Sequence, residues 1–313
     1  MLWPTDLVTV SRSAPIDLDQ EVQDWCDARR IALPPPELVH GFYAPLATWV
    51  SRHVSDGTLI LGLNGAPGTG KSALADLLCR LLWRLCRFRA VTLSLDDLYL
   101  GGAARRKRAE AIHPLLATRG VPGTHDVGLG LEVLRSLREG ASLSLPRFDK
   151  AQDERCPHAQ WPAIDQRVDV VILEGWCLGA RSQPANMLDV PVNDFEREYD
   201  SDGSWRWYVN RQLGGAYQAL FAEIDALVML KPPSFDQVFE WREHQEAQLR
   251  ATSNSSRVMS TDDVRAFVRQ FERLTRFTWD EMPMRADAVI HLDVDQQPER
   301  VDLGDASATS RPT

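Results

Sequence analysis

The chain has 313 residues, 35 of them Lys or Arg against 44 Asp or Glu, for a net charge of −9, with 44% hydrophobic and 25% charged residues. This is the composition of a folded protein, and it excludes the low-hydrophobicity, high-charge regime of disorder. The acidic balance argues against a general surface for duplex nucleic acid and against a purely electrostatic membrane anchor, since both need a basic excess. No apolar run approaches the roughly 20 residues of a membrane span, and the first twenty residues lack the basic-then-apolar pattern of a secretory signal. The five cysteines are odd in number and form no CxxC pair, so neither a disulfide framework nor a zinc site is expected. The expected setting is cytoplasmic, with reduced thiols.

Residues 1–56 read as an N-terminal helical accessory segment, in which Pro34, Pro35 and Pro36 interrupt the chain before an apolar, helical stretch at 38–54. Five short runs follow at 59–63, 91–95, 168–173, 226–230 and 288–292, each almost continuously apolar. Continuous rather than alternating hydrophobicity predicts strands covered on both faces, hence a doubly wound α/β fold with a parallel five-stranded sheet. Between the first two runs, Leu74, Leu77, Leu78, Leu81, Leu82 and Leu85 make one stripe at helical period, and Cys79 and Cys86 within that pattern are assigned to packing. Helices are also expected at 234–250 and 261–278, the second opened by Thr261, Asp262 and Asp263 as capping and dipole partners. The stretch 181–215, rich in Pro, Asn, Asp and Gly, reads as an insertion crossing the sheet edge. The main domain is bounded at 57–295, and 296–313, which lacks periodicity, is expected to be a mobile tail. No internal repeat is present, and nothing in the pattern specifies an oligomeric state.

The strongest chemical signal is Gly65, Ala66, Pro67, Gly68, Thr69, Gly70, Lys71 and Ser72, a full match to GxxxxGK[ST] placed between an apolar strand and an amphipathic helix. Glycines here let the backbone curl so that successive N–H groups and the positive end of the helix dipole face the phosphates of a nucleotide. Lys71 reaches the β and γ phosphates, and the Ser72 hydroxyl is a ligand for Mg²⁺. The second strand runs into Asp96 and Asp97, at the carboxyl edge where ligands bind in open α/β sheets. One of the two is placed to take a proton from a substrate hydroxyl; either also suits the cap of a following turn. The third strand ends in Glu174, the position of a second metal-site residue, followed by Gly175 and Trp176, the latter assigned chiefly to packing. Two further polar segments, 119–126 and 146–150, hold Arg119, His125, Asp126 and Lys150, whose forks, hydroxyl-orienting groups and positive charge suit a small anion. The basic run Arg105, Arg106, Lys107 and Arg108 reads as a solvated face.

Taken together and in this order, LGLNGAPGTGKS, SLDDLYL, RGVPGTHD, LPRFDK and VILEGW resemble the D-glycerate 3-kinases of the glycerate kinase type and, more distantly, phosphoribulokinase, uridine kinase and pantothenate kinase, over about residues 59–295. The resemblance implies a P-loop kinase fold with strand order 2-3-1-4-5 and a helical lid at 234–256. It also implies ATP and Mg²⁺ as cofactors and phosphorylation of the 3-hydroxyl of D-glycerate. Carried over residue by residue, Lys71 and Ser72 bind nucleotide and metal, Asp96 is the base and Glu174 supports Mg²⁺; in the more distant kinases a lid helix supplies arginines that close over the phosphates, which makes Arg242 the candidate for neutralising developing charge, with solvated surface charge as the alternative reading. The acceptor pocket is expected to draw on Asp97, Tyr99, Arg119, His125, Asp126 and Lys150. Leu98 stands where the family usually has an aromatic residue, and the loop after Lys150 is shorter than the family pattern. The partners implied are ATP and a small hydroxy acid, with no nucleic acid and no membrane. Two other readings compete: a kinase for a pantothenate-like or nucleoside-like alcohol, and a nucleotide-regulated ATPase switch. Asp96 discriminates, because a kinase needs a base beside an acceptor pocket whereas a switch needs a group that orients water.

Overall fold

A computed structural model describes residues 2–12, 16–252 and 259–304. Its central sheet has six strands: β1 (Leu59–Gly65), β2 (Ala90–Ser94), β3 (Val170–Gly175), β4 (Ala226–Lys231), β5 (Ala288–Leu292) and β6 (Pro298–Leu303). Their order across the sheet is β6-β5-β4-β1-β3-β2. The five apolar runs therefore lie in the order 2-3-1-4-5, all parallel, and a sixth strand pairs antiparallel with the fifth. This corrects two expectations, the five-stranded sheet and the mobile tail beginning at 296. The tail forms a strand because its edge position tolerates charge: along β6 only Pro298 is buried, while residues such as Glu299 and Arg300 face solvent. Residues 305–313 lie outside the described residues, as do 253–256 of the expected lid edge.

Successive side chains of a strand point to opposite faces, and the apolar runs divide accordingly. Ile60, Leu93, Val171, Leu173, Leu227, Met229 and Val289 join one buried cluster, whereas Leu61, Leu63, Val170, Ile172, Val228, Leu230 and Ile290 join another. The second cluster is completed by the N-terminal helices α1 (Thr5–Arg12), α2 (Leu18–Arg29) and α3 (Ala44–Ser51), through Leu7, Val22, Trp25, Leu46 and Trp49, and by α4 (Lys71–Leu81). On the first face lie α5 (Gly102–Ala111), α6 (Val127–Arg138), α7 (Asp194–Tyr199), α8 (Ser204–Gly214), α9 (Ala216–Phe221), α10 (Phe235–Thr252) and α11 (Thr261–Glu281). The stretch 181–215 thus contains two helices. It is docked on α11 by Arg273, whose guanidinium meets the Glu196 carboxylate at 2.6 Å with both side chains buried.

Register places the site. Leu63 lies opposite Glu174 on β3, and Ser94 of β2 lies opposite Glu174 on the other side. Three carboxyl ends therefore converge, delivering the loop after β1, the loop after β2 and the Glu174 carboxylate to one edge. Gly175 is required by a close approach, since a Cβ there would fall 2.8 Å from that of Leu95.

Candidate active site

The loop after β1 turns on Gly68 and Gly70, with φ of +86° and +78°, values that L side chains rarely adopt. Thr69 Oγ1 donates back to the Ala66 carbonyl at 2.9 Å, and Gly70 precedes Lys71, the first residue of α4. Ser72 Oγ donates to Glu174 Oε1 at 2.8 Å. Glu174 is buried, and its Oε2 has no hydrogen-bond partner among the described residues. Helix α10 packs directly on this loop: a Cβ at Gly68 would lie 3.2 Å from Trp241 Cβ.

Lys71 and Ser72 open onto a cleft of about 380 Å³ whose walls include Asp96, Tyr99, Arg119, Lys150 and Arg242. Asp96 accepts from Lys150 Nζ at 2.6 Å and from the Tyr99 hydroxyl at 3.1 Å. Burial alone would raise its pKa, but the charges of Lys150 and Lys71 prevail and hold it at about 2, so the carboxylate is ionised. Arg119 is held by Asp153 and lies over the Phe148 ring. Arg242 is paired with Glu246 and bonded to Gln245 Oε1 at 3.3 Å.

Three residues assigned to the acceptor pocket lie behind its wall. Asp97 accepts from the Phe148 N–H at 3.0 Å and from Arg147 at 3.2 Å, so it anchors the segment that carries Lys150. Asp126 caps α6 by accepting from the Leu129 N–H at 3.1 Å, and pairs with Arg155 at 3.0 Å. His125 is buried, stacked on Tyr99 with ring centroids 4.4 Å apart, and its Nδ1 lies 2.6 Å from the Tyr217 hydroxyl. Burial, helped by the Arg108 charge, lowers its pKa to about 3 against the opposing pull of Asp96.

Other residues contribute without having been singled out as site groups. Asp153 has a left-handed φ of 57° and accepts from both Arg119 and Arg105. Arg105 is not part of a solvated face: it is 1% exposed and also donates to the carbonyls of Leu100 at 2.6 Å and Ala117 at 3.1 Å. Arg108 donates to the Gly123 carbonyl. Trp176 is more than packing, because it lines the cleft while its Nε1 donates to the Gly120 carbonyl at 2.8 Å. Trp176 and Phe271 meet edge to face at 4.7 Å between centroids.

A mostly parallel α/β sheet with a phosphate loop at its carboxyl edge, a hydroxyl–carboxylate pair beneath it and an ionised aspartate across the cleft defines a P-loop kinase fold. The chain is 35% identical over 221 residues to the uncharacterized kinase mug58 of Schizosaccharomyces pombe, covering 68% of this chain and 78% of that protein. It is 27% identical over 263 residues to the chloroplastic D-glycerate 3-kinase of Arabidopsis thaliana, covering 77% of this chain but spanning only 55% of that protein's length. Among solved structures, D-glycerate 3-kinase from Cryptococcus neoformans matches with a TM-score of 0.67 at 23% identity, covering 82% of this chain and 99% of that one. No protein-family profile matches. The chain belongs to the glycerate-kinase-type family of P-loop kinases.

Proposed function

We propose that this chain transfers the γ-phosphoryl group of ATP to the 3-hydroxyl of D-glycerate, giving 3-phosphoglycerate and ADP. The observation that carries the reading is the juxtaposition in one cleft of the phosphate loop, an ionised Asp96 and two cations, Lys150 and Arg119. A small hydroxy acid needs a cation for its carboxylate and an acceptor for its reacting hydroxyl, and these groups supply both. Five unpaired cysteines support a reducing, cytoplasmic setting.

Lys71 and the backbone N–H groups of residues 68–72 bind the phosphates, and Arg242 faces the charge that grows on the transferred group. Asp96 orients the acceptor hydroxyl and takes its proton. With a pKa near 2 it is a weak base, suited to a loose transition state in which the hydroxyl becomes acidic only as its bond to phosphorus forms. Lys150 pairs with Asp96 in this structure, and the carboxylate of an anionic acceptor offers Lys150 another partner. For Mg²⁺ the donors fit: Glu174 Oε2 is buried and unpartnered among the described residues, and Ser72 Oγ is an equally hard oxygen beside it. When bound, the cation neutralises charge on the β and γ phosphates.

The test is ADP release from Mg²⁺-ATP with D-glycerate, pantothenate and uridine in parallel, the product identified by mass. Glycerate-dependent ADP release with 3-phosphoglycerate as product is expected. Turnover with only pantothenate or uridine overturns the acceptor, and ATP hydrolysis indifferent to every alcohol overturns the kinase reading.

A further inference from the structure

Both oxygens of the Asp96 carboxylate are engaged: Oδ1 accepts from the Tyr99 hydroxyl at 3.1 Å and Oδ2 from Lys150 Nζ at 2.6 Å. The two donors differ in how easily they move. Tyr99 is 4% exposed and stacked on His125, which keeps its hydroxyl in place. The Lys150 side chain is 58% exposed and carries its charge on a flexible four-carbon stem. The backbone beneath it is fixed. Lys150 lies in the turn of a short hairpin, Phe148–Asp149 against Glu154–Arg155, where Asp149 Oδ1 accepts from the N–H groups of Ala151 at 2.8 Å and Gln152 at 3.0 Å. Asp97 holds one root of the hairpin by the Phe148 N–H. At the other root Glu154 Oε2 accepts from the Gly102 N–H at 2.9 Å, and Arg155 donates to the Tyr99 carbonyl at 3.1 Å. The ammonium can therefore trade partners while the loop stays where it is. Its withdrawal changes Asp96 in two ways. It uncovers Oδ2, and it strengthens the base, because burial pushes the Asp96 pKa up and Lys150 is foremost among the charges that hold it down.

We infer that Lys150 is a specificity-determining residue: it withholds Asp96 from water and from neutral alcohols, and yields it to an acceptor that brings its own carboxylate. The inference rests on the kinase reading and deepens it by naming what suppresses hydrolysis of ATP. A short hydroxy acid carries its carboxylate and its reacting hydroxyl close together, so an acceptor whose hydroxyl meets Oδ2 brings an anion within reach of the displaced ammonium. One ion pair is exchanged for another, and an exposed pair exchanges readily. Water and a neutral alcohol leave the ammonium without an anion, so it stays on Asp96. With Oδ2 uncovered and no hydroxyl in place, water attacks the γ-phosphorus, the bond to the β,γ-bridging oxygen breaks to give ADP and phosphate, and the proton of the water passes to Asp96.

Release of inorganic phosphate from Mg²⁺-ATP by the intact chain reads this directly, because phosphoryl transfer to an alcohol releases none. Wild type alone should hydrolyse ATP slowly. D-lactate has the carboxylate of D-glycerate but a hydrogen in place of the 3-hydroxyl, so it should draw Lys150 away, leave room for water and raise hydrolysis about fivefold, whereas uncharged glycerol should not. Lys150→Met should show the raised rate with no addition, and D-lactate should add nothing to it. Combining Lys150→Met with Asp96→Asn should bring the rate back down, since the hydrolysis runs through Asp96. Hydrolysis by Lys150→Met equal to wild type, with only KM for glycerate raised, overturns the inference and leaves Lys150 a carboxylate contact. Equal stimulation by glycerol and D-lactate, or a raised rate that survives Asp96→Asn, overturns it as well. Transfer to glycerate is scored separately, as ADP formed without phosphate. Its absence overturns the proposed acceptor, while the Lys150→Met rate, measured with no acceptor present, still decides the role of Lys150.

Discussion

Asp96 is a carboxylate kept charged inside a wall of the cleft, and its partners allow its role to be separated from theirs. General-base assistance is typically worth about 10² to 10⁴ in rate, so Asp96→Asn should lower kcat by roughly that factor with ATP affinity nearly unchanged. Lys150→Met should act differently, raising KM for glycerate more than it lowers kcat, because a ground-state contact with the carboxylate is lost in the bound substrate and the transition state alike. Steady-state kinetics of both variants separate the roles, and normal turnover by Asp96→Asn removes it as the base. His125 gives a second prediction at this scale. The imidazole titrates near 6.5 when unfolded and near 3 when folded. Between these values the unfolded chain binds the extra proton, so stability is retained above pH 6.5 and falls as the pH is lowered through the window. The loss should reach about 2 kcal/mol by pH 5. Urea unfolding from pH 8 to pH 5 should show this slope, and His125→Gln should flatten it; an equal slope in both proteins would clear His125 of the effect.

At the scale of elements, the segment bearing Lys150 is positioned from behind. Arg105 of α5 ties the carbonyls of Leu100 and Ala117 to Asp153, and Asp153 in turn holds Arg119. Arg105→Met leaves those acceptors without their donor, and should cost about 2–4 kcal/mol in urea unfolding. KM for the acceptor should rise in the same variant, because Arg119 loses its oriented partner. Unchanged stability and unchanged KM together would show that Arg105 is dispensable to both. Such links explain what was legible in the sequence. The phosphate loop, Asp96 and Glu174 could be read because each is local, a short pattern ending an apolar run. Arg105 and Asp153 could not, because 48 residues separate them and four adjacent basic residues look like surface. Asp97 and Asp126 are polar and lie near the site, but residue type alone does not distinguish a ligand from a cap. Strand β6 was illegible for a related reason: its alternation is masked by the charges an edge strand carries outward.

For the molecule as a whole, the sheet is covered on both faces, and one of those covers is the N-terminal segment. Leu61, Leu63, Val170, Val228 and Ile290 pack in one cluster with Trp3, Leu7, Val22, Phe42, Leu46 and Trp49. A parallel strand with two apolar faces cannot present either to water without cost, so the segment is part of the folding unit that displays the phosphate loop. Deleting residues 1–56 strips that face and should yield a chain without a cooperative thermal transition, with weak near-ultraviolet circular dichroism and a tendency to associate. Phe42→Ala, a single change in the same layer, keeps the chain complete and should cost about 3–5 kcal/mol, since Phe42 is 1% exposed and its removal leaves a cavity the helices cannot fill. A truncated chain that melts sharply, together with a Phe42→Ala protein as stable as wild type, would show instead that the sheet stands without this layer.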